Sequence, residues 1–173
     1  LHMSDQPSME ALIQDGHIAD WKVPDHDRIP SDFRLKTFAY ANYTTDLAII
    51  YNVNKVSPEE VKLLESGWEA VLDPRFKGRF AATVMKCGTC YAPVHMFLDP
   101  KFKDRYGVEF LKKVAAQKPA LYGDIVAAMD RVVAGEHDFT YWTWDSIALT
   151  KWQQGAPIRW LHPKPTPSLA NSW

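Results

Sequence analysis

The segment from Asp138 to Ala148 constrains the fold of this chain most, because it begins as a strand and ends as a helix. Between Phe139 and Trp144, aromatic and β-branched side chains alternate in the period-2 pattern of a β-strand. Asp145 or Ser146 can then cap a helix that follows directly. The segment therefore predicts a strand-to-helix junction.

This junction gathers two indoles, a hydroxyl and a carboxylate at the C-terminal end of a strand, the edge at which open α/β sheets bind ligands. The candidate ligand-binding residues are Trp142, Thr143, Trp144 and Asp145. The alternative is a strand of the hydrophobic core followed by an ordinary helix cap, since aromatic clusters lie more often in cores than at binding sites.

The composition bounds the class of protein. The chain has 173 residues, which predicts one domain with a sizeable core. Its formal net charge is −1 and it has no basic block, so we expect no nucleic-acid partner. No apolar run approaches the length of a transmembrane helix.

The first residues, Leu1-His2-Met3, resemble a cloning scar. We therefore assign residues 1–3 to a scar and expect a single α/β lobe over residues 4–173. A natural export signal could have been cut away where the scar now stands. The lack of a signal peptide therefore does not place the protein in the cytosol.

Strand and helix patterns alternate along the rest of the chain. Two consecutive strands are predicted at residues 38–43 and 46–51, and Ser57, Pro58 and Glu60 form the capping box of a helix. Further strands are predicted at residues 79–85 and 158–162, and further helices at residues 8–15, 91–98, 105–117 and from 124 onward.

This alternation predicts an α/β fold, a three-layer sandwich with a mostly parallel mixed sheet. The predicted core consists of Leu47, Ile49, Ala82, Val84, Phe110, Val114, Met129, Val132 and Ile158.

Two other strand-to-helix junctions carry candidate binding residues. Cys87-Gly88-Thr89-Cys90 offers backbone N–H groups at a helix start, held close by Gly88, which is a general anion cradle. Asp124 begins the next helix, where the commonest role of an aspartate is that of an N-cap. If Asp124 and Asp145 face one pocket with the tryptophans, that pocket is aromatic and acidic and suits a positively charged organic group.

The chain offers little for catalysis. No nucleophile-elbow motif accompanies its serines and histidines, so we predict no catalytic residue. The main enzymatic alternative is a thiol–disulfide oxidoreductase, because Cys87 and Cys90 stand between a predicted strand and a predicted helix. The two cysteines cannot form a four-cysteine zinc site within one chain, and no H-x₃₋₅-H spacing adds histidines. We therefore expect neither a metal nor a cofactor.

Five collinear segments resemble a known family. They are Ile49-Ile-Tyr-Asn-Val-Asn54, Gly67-Trp-Glu-Ala-Val-Leu-Asp-Pro-Arg-Phe-Lys-Gly78, Phe110-Leu-Lys-Lys-Val, Ala134-Gly-Glu136 and Gly155-Ala-Pro-Ile158. Together they are similar to the type II periplasmic solute-binding proteins of ABC transporters, in the branch that contains iron(III), thiamine and polyamine binders. The resemblance runs from about residue 10 to the end of the chain.

The resemblance implies two α/β lobes hinged around a ligand cleft, of which this chain would be the second, truncated lobe. The implied function is the substrate-binding component of an ABC importer, which captures a small solute between the lobes without catalysis. The implied partners are the solute, the missing first lobe and the membrane subunits of the transporter. The implied location is periplasmic or extracellular.

The resemblance also bears on the site residues. Cys87-Gly88-Thr89 occupies the place of a turn that holds an anion in the iron(III) branch, and Asp124 falls near an asparagine there. The two iron-binding tyrosines of that branch fall at about Trp144 and Asp145, which argues against iron(III). We therefore expect an organic solute with a cationic group packed on Trp142 or Trp144. A small carboxylate or other anion held by the Cys87–Cys90 turn is the alternative.

A lobe without its partner exposes strand edges and apolar surface, which favours self-association. We therefore expect this chain to form a homodimer and to bind solute weakly.

Overall fold

The computed structural model describes residues 4–84 and 88–172, and the side chains of residues 8–84 and 93–169. The chain forms two compact units. The first unit consists of the residues up to Thr45 and those from Ser168 onward, and the second unit consists of Asp46–Pro167. The single lobe expected over residues 4–173 stays a prediction.

The first unit contains one α-helix and short strands among its described residues. Helix α1 is Gln6–Gln14, close to the predicted helix at residues 8–15, and its Met9 side chain is fully buried. Strand β1 (Ser4–Asp5) pairs antiparallel with strand β8 (Ser168–Ser172), and strand β2 (Arg34–Leu35) pairs antiparallel with the start of strand β3.

Strand β3 is one continuous strand of 14 residues, Ala39–Asn52. The prediction of two separate strands over this segment is therefore wrong. The physical reason is visible in the sequence, since Thr44 and Thr45 connect the two predicted strands. Both are β-branched residues that favour extended backbone, and no glycine or proline interrupts them.

The second unit alternates strands and helices as predicted. Its remaining strands are β4 (Phe80–Thr83), β5 (Ala120–Tyr122), β6 (Phe139–Trp144) and β7 (Ile158–Leu161). Its α-helices are α2 (Pro58–Glu65), α3 (Gly88–Leu98), α4 (Val108–Ala116), α5 (Ile125–Val133) and α6 (Asp145–Gln153). Short 3₁₀ segments at Trp68–Leu72, Pro74–Phe76 and Pro100–Phe102 connect them.

The predicted capping box at the start of α2 is confirmed. The Ser57 side chain accepts a hydrogen bond from the Glu60 N–H at 3.2 Å, and Glu60 Oε2 accepts one from the Ser57 N–H at 2.9 Å. Each bond satisfies a donor that would otherwise be unpaired at the helix start.

The sheet of the second unit is mixed. Strand β4 pairs parallel with both β5 and β6, whereas β3 pairs antiparallel with β6 and with β7. The predicted α/β fold with a mixed sheet is therefore confirmed. The sheet is not mostly parallel as predicted, because parallel pairing is confined to β5-β4-β6 and β3 runs antiparallel to both β6 and β7.

Helices and 3₁₀ segments cover both faces of this sheet. On one face, Phe80 stacks on Phe139 at 5.1 Å between ring centroids, and Tyr141 contacts Trp68 at 5.6 Å. On the other face, strand and helix residues form a separate buried cluster, namely Ala48, Ile50, Met129, Val132, Ala148 and Ile158. The second unit therefore has three layers.

The predicted core is largely confirmed. Eight of its nine side chains are buried, and Val84 is half-buried at the end of β4. In the part of the chain that the structure describes, no helix combines the length and the apolar character needed to cross a bilayer.

Candidate functional site

Five chain segments meet at one edge of the sheet in the second unit. Because β4 is parallel to β5 and β6, the carboxyl ends of these three strands lie at the same edge. Strand β3 runs the other way, and Leu47 pairs with Trp144, so Asp46 lies at that edge too. Strand β7 is antiparallel to β3 and therefore also ends there, directly before His162. This carboxyl edge is where α/β sheets bind ligands.

A β-bulge distorts β6 just before this edge. Ala48 pairs with Thr143 and Ile50 pairs with Thr140, so Ile49 alone faces both Tyr141 and Trp142. Trp142 adopts a positive φ of 50°, a left-handed conformation that costs a residue with a β-carbon about 1 kcal/mol or more. The bulge breaks the strict alternation of the strand and brings the Tyr141 and Trp142 rings to 4.6 Å between centroids. The sequence pattern does not reveal it.

The three residues of the tryptophan junction are buried. Trp142, Thr143 and Trp144 are 8%, 3% and 4% exposed. Trp142 Nε1 and Thr143 Oγ1 have no hydrogen-bond partner among the described residues. The expected packing of a solute on Trp142 or Trp144 stays a prediction.

Asp145 has a different role from the one predicted. The prediction that Asp145 or Ser146 is the N-cap of α6 is wrong, because the N-cap position is Trp144, which makes no side-chain capping bond. The Asp145 carboxylate instead reaches across to other segments. Its Oδ1 accepts a hydrogen bond from the Asp46 N–H at 3.1 Å, and its Oδ2 lies 3.0 Å from His162 Nε2.

Asp46, Asp145 and His162 form a half-buried cluster at the carboxyl edge. One ligand atom of each residue lies within 4.8 Å of the others. The sequence patterns place Asp46 only as the first residue of one predicted strand and His162 only as the last residue of another. The three residues are brought together by the antiparallel register of β3 with β6 and β7. No local sequence pattern predicts that register.

The other predicted site residues are placed as follows. Asp124 is exposed and is the N-cap of α5, where its Oδ1 accepts a hydrogen bond from the Ala127 N–H at 2.9 Å. The backbone of Gly88, Thr89 and Cys90 begins helix α3, and their side chains lie outside the described set. Cys87 lies outside the described residues. The structure therefore brings Asp145, but not Asp124, into the acidic cluster.

The first unit has an open cavity of about 800 Å³ of its own. Its lining is mainly apolar and aromatic, and includes Trp21, Phe38 and Tyr40. None of the predicted site residues whose side chains the structure describes lines it.

Comparison with known proteins decides the family. Residues 2–168 match the family described as bacterial extracellular solute-binding protein. The chain belongs to this family. The sequence-based resemblance to solute-binding proteins is thereby confirmed. The family consists of solute-binding proteins and not of enzymes, so the oxidoreductase hypothesis gains no support.

Solved structures of solute-binding proteins have the same fold. The substrate-binding protein of an ABC transporter from Agrobacterium tumefaciens is 17% identical, with a TM-score of 0.80, over 95% of this chain and 49% of that one. Iron-bound HitA from Pseudomonas aeruginosa is 16% identical, with a TM-score of 0.70, over 97% and 55%. The periplasmic binding protein AfuA from Actinobacillus pleuropneumoniae, with fructose-6-phosphate bound, is 18% identical, with a TM-score of 0.72, over 93% and 52%.

The chain spans about half the length of these structures. No curated protein matches the chain. At these identities the likeness establishes the fold, which matches one lobe of a periplasmic binding protein.

Proposed function

We propose that this solute-binding protein is the substrate-binding component of an ABC importer, and that it captures a small organic solute with a cationic group at the carboxyl edge. The family match and the shared fold support the transport role. The proposed location is the periplasm or the outer surface of a bacterial cell. The proposed partners are a second lobe that closes over the carboxyl edge and the membrane subunits of the transporter.

The main support for a cationic solute is the pair of carboxylates at the carboxyl edge. Asp46 and Asp145 are both half-buried, and their ligand atoms lie within 4.8 Å of each other and of His162. Among the described residues, two carboxylates beside one imidazole give this edge an excess of negative charge. In a partly desolvated site this charge favours a cation and repels an anion.

The indole groups add a second reason for an organic cation. Trp144 immediately precedes Asp145, and Trp142 lies two residues earlier on the bulge. Indole faces attract organic cations, and large aromatic side chains hold the apolar part of such solutes.

Thermal-shift screening tests the proposal with polyamines, thiamine-like cations and small carboxylates as probes. A ligand that binds only the folded state stabilises it by about 2.7 kcal/mol at a hundredfold excess over Kd, so a cation should raise the Tm by several degrees. Asp145→Asn should abolish this shift. Glu109→Gln, which removes an exposed carboxylate from helix α4, is the matched control and should keep it.

A Tm shift given by carboxylates and not by cations would contradict the proposal. So would a cation-dependent shift that is unchanged in Asp145→Asn. The homodimer expected from the sequence stays a prediction, and light scattering at several protein concentrations tests it.

A further inference from the structure

We propose that the open cavity of the first unit is the surface through which two copies of this chain associate. The residues that line the cavity lie between Met9 and Asn42, so the surface depends on the internal geometry of the first unit alone. The proposal involves neither the carboxyl edge nor a solute. It therefore goes beyond the proposed function, and it gives the homodimer that the sequence predicts a definite interface.

Strand β3 has a different environment in each unit. In the second unit, residues 47–50 of this strand are fully buried. In the first unit, Phe38, Tyr40 and Asn42 occupy alternate positions, and all three line the open cavity. Residues at alternate positions of an extended chain share one face. One face of the chain from Phe38 to Asn42 is therefore open where the later part of β3 is covered.

Little regular structure is available within the first unit to cover this face. Between the end of helix α1 at Gln14 and the start of strand β2, the only helices among the described residues are two 3₁₀ turns, His26–Arg28 and Ser31–Phe33. An apolar sheet face is stable only when another element packs on it. The face therefore requires a further layer, which a second chain can supply.

The core of the first unit is correspondingly small. Among its residues with described side chains, 8–45 and 168–169, only Met9 and Ala39 are fully buried apolar residues. Trp21 is 70% exposed, more than any other large apolar side chain that the structure describes, and it lines the cavity. Exposed apolar surface of this kind marks interaction sites, and tryptophan is among the residue types that contribute most to the affinity of protein interfaces.

Hydrogen bonds hold the wall of the cavity in place. Tyr40 Oη accepts a hydrogen bond from the Val23 N–H at 3.3 Å and lies 3.0 Å from His26 Nδ1. The Trp21 N–H donates to the Thr37 carbonyl at 3.1 Å. The loop that carries Trp21 is therefore tied to β3 and to the residue before its lining face. A surface that is already ordered loses little conformational entropy on binding.

The charges around the cavity favour a second copy as its occupant. No carboxylate, lysine or arginine is among the described residues that line it. The segment that supplies the loop wall, residues 15–36, has five acidic and four basic side chains, so it carries almost no net charge. Such a surface does not repel an identical surface, and two-fold symmetry places it against itself in the partner copy. The two carboxylates of the carboxyl edge, in contrast, would repel their own copies.

A small apolar molecule is the competing occupant, because a volume of about 800 Å³ also suits a ligand pocket. The two occupants differ in their effect on the mass of the particle. A small molecule leaves the chain monomeric, whereas self-association makes the average mass rise with protein concentration. The mass as a function of concentration therefore separates the two.

Sedimentation velocity of the whole chain tests the interface, at protein concentrations from about 1 µM to about 100 µM. A Cys87→Ser/Cys90→Ser background prevents disulfides between chains. We expect a reversible dimer with a Kd in the micromolar range. Trp21→Glu should weaken the dimer at least about tenfold, because each copy would place a carboxylate in the apolar interface. Trp21→Phe, which keeps an aromatic ring, should retain most of the affinity.

Trp152→Glu is the matched control. Trp152 is also an exposed tryptophan, at 41%, but it lies on helix α6 of the second unit. Its substitution should leave the dimer unchanged. Asn42→Lys, at an exposed position of the cavity lining, is a second interface variant and should weaken the dimer by placing like charges against each other. Circular dichroism of each variant verifies that a loss of the dimer is not a loss of fold.

A monomer mass at every concentration overturns the interface. A dimer that persists in both Trp21→Glu and Asn42→Lys, or that Trp152→Glu weakens equally, overturns it too. A fluorescence increase of the neutral probe N-phenyl-1-naphthylamine on a monomeric chain, lost in Trp21→Glu, would assign the cavity to a small molecule instead. None of these measurements involves the carboxyl edge, so the absence of a dimer leaves the proposed function standing, and a failed solute screen leaves the interface standing.

Discussion

The two edges of the sheet in the second unit carry similar groups in different arrangements. At the carboxyl edge, Asp46 and Asp145 lie beside His162. At the opposite amino edge, Glu60 and Asp138 lie on either side of Arg79, which directly precedes β4. Each edge therefore places two carboxylates around one basic side chain.

The basic group makes the difference between the edges. Arg79 Nη1 donates to Glu60 Oε1 at 2.6 Å and to the Arg75 carbonyl at 3.0 Å, and Arg79 Nε donates to Asp138. A guanidinium is always charged and holds its partners in a fixed geometry. An imidazole can be neutral at physiological pH and can exchange its partner. The amino edge is thus arranged to tie α2, β4 and β6 together, and the carboxyl edge can accept a ligand.

The largest expected effect comes from breaking the amino edge. Arg79→Met leaves two carboxylates, 13% and 16% exposed, without their shared cation, and should lower the free energy of unfolding by about 2–3 kcal/mol. Arg131→Met is the control, because its partner Glu136 and Arg131 itself are about half exposed, and should leave the free energy of unfolding almost unchanged. Urea unfolding at neutral pH measures both.

The same measurement on the carboxyl edge completes the comparison. Asp145→Asn should change the free energy of unfolding by less than about 1 kcal/mol, since an asparagine can still accept the Asp46 N–H bond. An Asp145→Asn cost equal to that of Arg79→Met would show that both edges are structural, and would remove the distinction between them.

Local sequence patterns predict the groups at the amino edge better than those at the carboxyl edge. The capping box of Ser57 and Glu60 was readable because a helix start is specified within four residues. The Asp124 cap, although it lies at the carboxyl end of β5, was readable for the same reason. The alternation of strands and helices was also sufficient to predict the α/β layers.

The carboxyl edge was harder to predict because it depends on register between distant strands. Asp46 meets Asp145 across 99 residues of chain, and no local pattern encodes that pairing. The bulge that puts a tryptophan at positive φ is equally invisible in the sequence, since a strand pattern of alternating aromatic residues predicts a regular ladder. The junction itself was predicted, and the partners of its carboxylate were not.

Acid pH should weaken the amino edge in a way that depends on Arg79. The hydrogen bond from Arg79 is the main cause that lowers the pKa of Glu60 below its usual value, against an opposing effect of burial. A carboxyl group with a lower pKa in the folded state stabilises the fold above its unfolded pKa, and this contribution is lost as the pH falls.

We therefore expect the free energy of unfolding to fall between about pH 6 and about pH 3, and to fall less steeply in Arg79→Met. Urea unfolding at several pH values across this range measures the two slopes. Equal slopes in the wild type and in Arg79→Met would mean that the acid response arises elsewhere, and would weaken the contrast between the two edges.

A further effect is expected only at alkaline pH, from a buried tyrosine outside both carboxylate clusters. Burial, followed by the nearby Glu69 carboxylate, raises the pKa of Tyr106 to about 12 from its usual value of 10. The folded state therefore keeps the Tyr106 proton at a pH where the unfolded chain releases it. Its contribution to stability is complete below pH 10 and is lost as the pH rises toward 12.

Tyr106→Phe cannot ionise, so it should unfold like the wild type at neutral pH, apart from the loss of a weak 3.4 Å contact with Glu69. It should then lose less stability than the wild type above pH 10. Urea unfolding followed by tryptophan fluorescence measures this difference, and Arg79→Met should show the wild-type alkaline response because Arg79 stays charged there. Parallel alkaline curves for Tyr106→Phe and the wild type would contradict the raised pKa. A change in the alkaline curve of Arg79→Met would show that the amino edge and the Tyr106 region are coupled, and that the edges do not act as separate regions of the sheet.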